Sequence, residues 1–283
     1  MMLRNRLSTT FKPWELKLVP RSYDIVGNVA ILRIPEAISH KAREIAKEVA
    51  KTNQHVITVL RQTGPVSGDL RLRRLEWLYG ERRTETVHKE SGCSFKINLA
   101  QCYFSPRLSF ERMRIAKQVK PDEVIVNMFA GVGCFSIVAA KYARPKIVFS
   151  IDVNPCAIRY IEENTALNKV RYVVEPILGD AKDIIMNRLQ HVADRVLMPL
   201  PEKAYDYLNC ALMALKPEGG TIHYYDFMHA RKDADPVEKV KQKVSEKMIE
   251  LATSFRFREG RIVRAVGPRW FQVVLDIEIC AKS

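Results

Sequence analysis

No apolar run in the 283-residue chain approaches the roughly 20 residues that cross a bilayer. The opening stretch MMLRNRLSTTFKPWELK also lacks the apolar centre of a signal peptide. The expectation is a globular, cytoplasmic protein with no membrane partner. Six cysteines, Cys93, Cys102, Cys134, Cys156, Cys210 and Cys280, form no C-x-x-C pair and sit singly, mostly in apolar stretches. They read as small core residues in a reducing compartment, which argues against a disulfide framework and against zinc. The histidines, at positions 40, 55, 88, 191, 223 and 229, are equally scattered, each reading as a surface or helix-terminal residue. No metal is expected. Acidic side chains are in deficit, 32 against 46 lysines and arginines. The resulting net charge of +14 and pI near 9.6 favour a polyanionic partner.

What is present is ample apolar content, 47% of residues, enough for one large or two medium domains. The most informative segment is Val124–Asn154, VIVNMFAGVGCFSIVAAKYARPKIVFSIDVN. It reads as an apolar strand, a turn at Gly131 and Gly133, an amphipathic helix and a second strand ending on Asp152. Ala130, Gly131 and Gly133 let backbone approach a ligand where a larger side chain would collide. An acidic residue closing the next strand can accept two ribose hydroxyls. The turn, F-A-G-V-G-C-F, is not the phosphate-cradling G-x-G-x-x-G, so a dinucleotide is disfavoured and S-adenosylmethionine is the leading candidate.

The first hundred residues hold 18 lysines and arginines against 10 aspartates and glutamates, an excess of 8 in about a third of the chain. There RLRRLEWLYGERR (Arg71 to Arg83) interleaves arginines with Trp77 and Tyr79, a combination suited to phosphates and unstacked bases. An exposed strand pair carrying solubilising charge is the alternative. KPWELKLVPRSYDIVGNVAILRIPEAI reads as one or two strands turning at Gly27-Asn28, Lys41–Asn53 as a helix, HVITVL as a strand and Gln62–Asp69 as a turn cluster. These make a small α+β domain at 1–97, assigned to substrate capture and nucleic-acid binding. From 98 to 283 helices and strands alternate as in a class I methyltransferase-like, Rossmann-type doubly wound α/β sheet, closed by an antiparallel edge hairpin around Gly267-Pro268.

Six stretches, LVPRSYDIVGNVAILRIPE, YFSPRLSFERMRIA, VIVNMFAGVGCFSI, SIDVNPCAIRYIEENTALN, ILGDAKDII and DRVLMPLPEKAYDYL, resemble in order and spacing the archaeal enzymes that modify the guanine next to the tRNA anticodon. These are the tRNA guanine-N1 methyltransferases and the wybutosine-synthesis enzyme that transfers a 3-amino-3-carboxypropyl group. The resemblance covers nearly the whole chain and implies S-adenosylmethionine as cofactor and tRNA as partner. It places Ser105 and Arg112 on the methionine arm, where the guanidinium meets the carboxylate. It places Asp152 on the ribose, and Asp180 with Ala181 on the adenine, although an aspartate there also suits a helix N-cap. Phe129 reads as an apolar wall or as core. Glu111 matches the methyltransferases' general base, or is a first-turn helix glutamate at a favourable dipole end.

Two departures favour aminocarboxypropyl transfer. Where the methyltransferases carry Asn-Leu-Pro or Asn-Pro-Pro, this chain reads Met198-Pro199-Leu200-Pro201, so the amide is replaced by a residue with no side-chain hydrogen bond. The shared V-P-R-S-x-D-I-V-G segment also begins by Val19, leaving no room for those enzymes' extra N-terminal domain. The expected reaction attacks the methionine Cγ, releases methylthioadenosine and modifies the tricyclic 4-demethylwyosine of tRNA-Phe. The alternatives are guanine-N1 methylation at the same position, a non-catalytic RNA-binding protein on a degenerate cofactor fold, and methylation of a protein or small molecule.

Overall fold

Apolar residues through Ile25, Val29 and Ile31 fold as a strand pair turning at Gly27-Asn28, with Val26 opposite Val29. The computed structural model describes every residue except 1–2, 67, 69 and 282–283, so the turn cluster at Gln62–Asp69 lies partly outside the described residues. The chain divides into two compact units, Met1–Arg107 and Leu108–Ser283, where the sequence places the boundary at 97/98.

The first unit holds α1 (Leu3–Arg6), α2 (Pro13–Leu18), β1 (Asp24–Val26), β2 (Val29–Leu32), α3 (Ala42–Thr52), β3 (Thr58–Gln62), β4 (Leu75–Gly80), β5 (Glu85–Glu90) and β6 (Cys93–Asn98). The segment around Pro13–Leu18, read from the sequence as part of a strand region, is helical. Proline occupies a first-turn position, and Glu15 reaches back to accept the Lys12 backbone N–H at 2.7 Å. Strands β1 to β4 form one sheet in that order. Only the β2–β3 pair is parallel, with α3 as its crossover and Ile45, Ala46 and Val49 fully buried beneath it. β5 and β6 form a separate hairpin turning at Ser91-Gly92, both at positive φ.

The second unit runs α4 (Ser109–Gln118), β7 (Val124–Asn127), α5 (Cys134–Ala143), β8 (Ile147–Asp152), α6 (Pro155–Leu167), β9 (Val174–Leu178), α7 (Ala181–Arg188), β10 (Arg195–Met198), α8 (Leu208–Ala214), β11 (Gly220–His229), α9 (Pro236–Glu250), β12 (Phe255–Gly267) and β13 (Trp270–Ile279). Its seven-stranded sheet is ordered β12-β13-β11-β10-β7-β8-β9. The β9 to β11 side is parallel, while β13 runs antiparallel to both neighbours. Strand order reverses between β7 and β10, so a crevice opens at the carboxyl ends of these two strands. The edge strand β12 loses register against β13 three times, at Phe257/Glu259, Ile262/Arg264 and Ala265/Gly267. The helix expected from Glu202 starts only at Leu208, because the Leu200 carbonyl takes the Lys203 and Ala204 N–H groups in a preceding turn.

Gly133 caps α5 at φ 86° in the left-handed region, and a Cβ there would lie 3.2 Å from Ile137 and 3.3 Å from Ile161. Gly133→Ala should therefore cost about 1–2 kcal/mol in chemical denaturation; an unchanged midpoint would show that the turn tolerates a side chain.

Candidate functional site

Five residues of the expected site, Phe129, Gly131, Asp152, Asp180 and Ala181, lie at the carboxyl ends of β7, β8 and β9. The Gly131 N–H donates to Asp152 Oδ2 at 2.7 Å, and the Asn154 N–H to Oδ1 at 2.9 Å. Burial pushes the Asp152 carboxyl up, and these two bonds oppose it. Each oxygen keeps a further lone pair, so the acceptor set suits a vicinal diol above the glycine turn. Asp180 caps α7, Oδ1 accepting the Lys182 N–H at 2.8 Å, and Oδ2 accepts the Tyr207 hydroxyl at 2.6 Å. The N-cap role foreseen for Asp180 is thus real, but it occupies one oxygen only. Tyr207 in turn packs edge-on against Phe129, ring centroids 5.2 Å apart. Phe129, Tyr207 and Asp180 make one continuous wall, with Ala181 buried behind it. Burial, reinforced by Asp180, pushes the Tyr207 phenol well above its ordinary value, so it remains a donor.

Arg112 is buried in α4 with its guanidinium 5.9 Å from the ring of Phe135, the second residue of α5. The helix thereby brings a cation beside the glycine turn. Ser105 is buried in the first unit, and its assignment rests on the resemblance. Glu111 is 1% exposed and fully engaged. It accepts Arg114 Nη2 at 2.8 Å and the Tyr225 hydroxyl at 2.7 Å on Oε1, then Arg114 Nε at 3.0 Å and Arg261 Nη1 at 3.4 Å on Oε2.

Arg114 continues to Asp276, with contacts of 2.5 and 3.0 Å. Asp276 Oδ1 lies 2.7 Å from His223 Nδ1, and His223 Nε2 lies 2.6 Å from Arg195 Nη1. Arg195 is held by Glu123 at 2.7 and 3.1 Å. A guanidinium can only donate, so Nε2 accepts and His223 is neutral with its proton on Nδ1, donated to Asp276. Burial drives the His223 pKa down, against the pull of Asp276. For Asp276 burial acts upward, but His223 and Arg114 outweigh it and hold the carboxyl well below the usual range.

The sequence missed Tyr207, Tyr225, Arg195 and Asp276, and read His223 as a surface or helix-terminal residue. His223 is fully buried in β11. The signal was there in TIHYYDF and VVLDIEI, where a polar residue interrupts an apolar strand. In the basic stretch Arg73 is buried, donating to the Phe104 carbonyl at 2.8 Å, and Arg71 lies 4.2 Å over the Tyr103 ring. Both serve the first unit's own packing, whereas Arg74, Arg82 and Arg83 are exposed. Cys280 is exposed and Cys156 half-buried, unlike the four core cysteines, and none of the six is in a disulfide. Among the described residues no cluster of three or more His, Cys, Asp or Glu side chains could hold a metal, and no helix is long and apolar enough to cross a membrane.

The profile of the TRM5/TYW2 methyltransferase domain matches residues 86–252, and that of the TYW2 N-terminal domain matches residues 3–84. The chain belongs to the TRM5/TYW2 family. It is 40% identical to the tRNA 4-demethylwyosine(37)-methyltransferase Taw21 of Saccharolobus solfataricus, across 90% of this chain and 92% of that one. It is 36% identical to the tRNA(Phe) (4-demethylwyosine(37)-C(7)) aminocarboxypropyltransferase of Methanocaldococcus jannaschii, across 90% and 96%. A crystal structure of M. jannaschii TYW2 in complex with AdoMet superposes at a TM-score of 0.70, with 30% identity across 92% of this chain and all of that one. The crystal structure of Trm5b from Pyrococcus abyssi superposes at 0.85, with 38% identity across 96% of this chain and 79% of that one.

Because folded His223 resists protonation while the unfolded residue titrates near 6.5, stability should fall as pH drops below that value. The gap in unfolding free energy between wild type and His223→Gln should narrow by up to about 2 kcal/mol between pH 7 and pH 5. Parallel pH profiles in urea titrations would mean that the buried imidazole does take up a proton.

Proposed function

We propose that the chain transfers the 3-amino-3-carboxypropyl group of S-adenosylmethionine to 4-demethylwyosine, the tricyclic base next to the anticodon of tRNA-Phe, with release of methylthioadenosine. The observation that carries this reading is Pro199. It follows β10 directly, and the β7–β10 register, Leu197 opposite Asn127, sets it opposite Phe129 two residues on. A side chain without hydrogen-bonding groups therefore stands at the switch point, where an asparagine would fix the methionine arm. The match of residues 3–84 to the TYW2 N-terminal domain supports the same choice.

When bound, S-adenosylmethionine supplies a carbon activated by its sulfonium. The chain's own part is to hold, orient and exclude water. Asp152 accepts the ribose hydroxyls above Gly131, the Phe129–Tyr207–Asp180 wall receives the adenine with Ala181, and Arg112 neutralises the carboxylate of the methionine arm. Glu111 fits a brace better than a base, since Tyr225, Arg114 and Arg261 occupy both of its oxygens. An electron-rich ring carbon needs no deprotonation before it attacks, so transfer to such a carbon is compatible with a fully engaged Glu111. The net charge of +14 suits a tRNA substrate, whose modification fits a cytoplasmic setting.

A second reading, methyl transfer to the same base, is favoured by the 40% identity to Taw21. The two are separated by supplying S-adenosylmethionine labelled either on the methyl or on the carboxyl carbon, with tRNA-Phe carrying the tricyclic precursor. Label from the carboxyl alone is expected in the tRNA; label from the methyl alone would overturn aminocarboxypropyl transfer. In calorimetry Asp152→Ala should weaken cofactor binding about tenfold to a hundredfold, the scale of hydrogen bonds to a charged group. Affinity within twofold of wild type would remove Asp152 from the ribose site.

A further inference from the structure

The outer hairpin of the second unit carries arginines and exposed rings that the cofactor site does not use. The hairpin holds Arg256, Arg258, Arg261, Arg264 and Arg269 against three acids, Glu259, Asp276 and Glu278, with Arg256 and Arg258 both paired to Glu278. Pairing sorts them by face. Asp276, bound to Arg114, points toward α4, so Val274, Gln272 and Trp270 at two-residue steps share its face of β13. Opposite them stand Arg261 with Val274, Arg264 with Gln272, and Gly267 with Trp270 on β12. On β11, His229 pairs with Trp270.

The rings on this face remain open to solvent. Trp270 is 46% exposed, with its ring centroid 5.4 Å from that of His229, itself exposed. Phe110, on the first turn of α4 next to Glu111 and Arg112, is 70% exposed, and the Arg261 guanidinium lies 5.1 Å over its ring. Arg264 is oriented along the sheet by a 2.8 Å bond from Nε to Gln272 Oε1. Four strand steps separate Val274 from Trp270, so Arg261, which pairs with Val274, and Trp270 are placed roughly 13 Å apart along one face. Exposed large rings are costly to leave in water, and their alternation with guanidinium groups matches a ligand of flat apolar bases joined by phosphates.

We propose that this hairpin face is a single-strand RNA platform: Phe110, Trp270 and His229 stack unpaired bases of the substrate loop, and Arg264 and Arg269 meet the phosphates between them. The proposal rests on the tRNA reading above and deepens it, by giving the catalytic unit its own grip on the loop beside the base being modified. Excess positive charge on the hairpin selects RNA over a second copy of this chain, which would bring a like-charged face.

The test uses the full-length protein and a tRNA-Phe transcript in a filter-binding titration at several salt concentrations. Trp270→Ala should weaken binding about tenfold, and Trp270→Phe, which keeps a stacking ring, should restore most of it. Arg269→Ala should lower the slope of log affinity against log salt by about 0.7. Cofactor affinity, read by calorimetry on the same preparations, should stay within twofold and report an intact fold. Variants that bind the transcript as wild type does would overturn the platform while leaving the tRNA reading in place. A wild type that does not bind the transcript would remove both. A mass near twice 32.5 kDa in light scattering that Trp270→Ala returns to 32.5 kDa would reassign the face to self-association.

Discussion

One guanidinium, Arg114, fixes the second unit's working geometry by holding two buried carboxylates, Glu111 from its own helix and Asp276 from the sheet. Charges taken out of water are tolerable only when paired and hydrogen-bonded throughout. Here Arg114, Arg195 and Arg261 face Glu111, Asp276 and Glu123, and the half-exposed Glu259 also meets Arg114 at 3.2 Å. The hydrogen-bond pattern requires His223 to be neutral, because Arg195 donates to Nε2. A protonated imidazole would add a fourth positive charge to a site with no acceptor left for Nε2, since Arg195 already occupies it. The network locks α4 against the sheet, and with it the position of Arg112 beside the glycine turn. Removing one member would strand the others, a heavier loss than the pair's net contribution.

This arrangement also accounts for what was legible in advance. The βαβ unit from Val124 was readable because local rules agree there: an apolar strand, glycines at positive φ and an acid at the next strand end. The succession of the remaining elements along the chain and the closing hairpin follow from the same alternation of periods, whereas the order of strands in the sheet comes from the structure. Pro13–Leu18 was not readable as a helix because its six residues are too few to show a period; the reach of Glu15 to Lys12 decides it. The helix starting at Leu208 was read six residues too long because turn residues before it happen to continue the apolar spacing.

Among site residues, Phe129, Gly131, Asp152, Asp180 and Ala181 lie at or just beyond the strand ends that their motifs mark, while those tied by long-range pairing were invisible. Asp276 and His223 are 53 residues apart in sequence and meet only through the β11–β13 register. Glu111 shows the same limit from the other side. Its place in the chain suggested a base, but what Arg114, Tyr225 and Arg261 do to it depends on three elements scattered over 150 residues. Arg73 differs from Arg74 in the same way: adjacent in sequence, one turns inward to a carbonyl and the other faces water.

The three breaks of register along β12 have a further effect. An even edge strand offers a regular row of N–H and C=O groups on which another chain can build, and Ile262 and Val266, both exposed on this strand, would strengthen such a union. A row that skips a residue every few positions cannot be matched by a straight incoming strand, because pairing begun at one bulge is out of step at the next. The thirteen-residue edge can therefore stay long and unshielded in a crowded cell without seeding strand exchange.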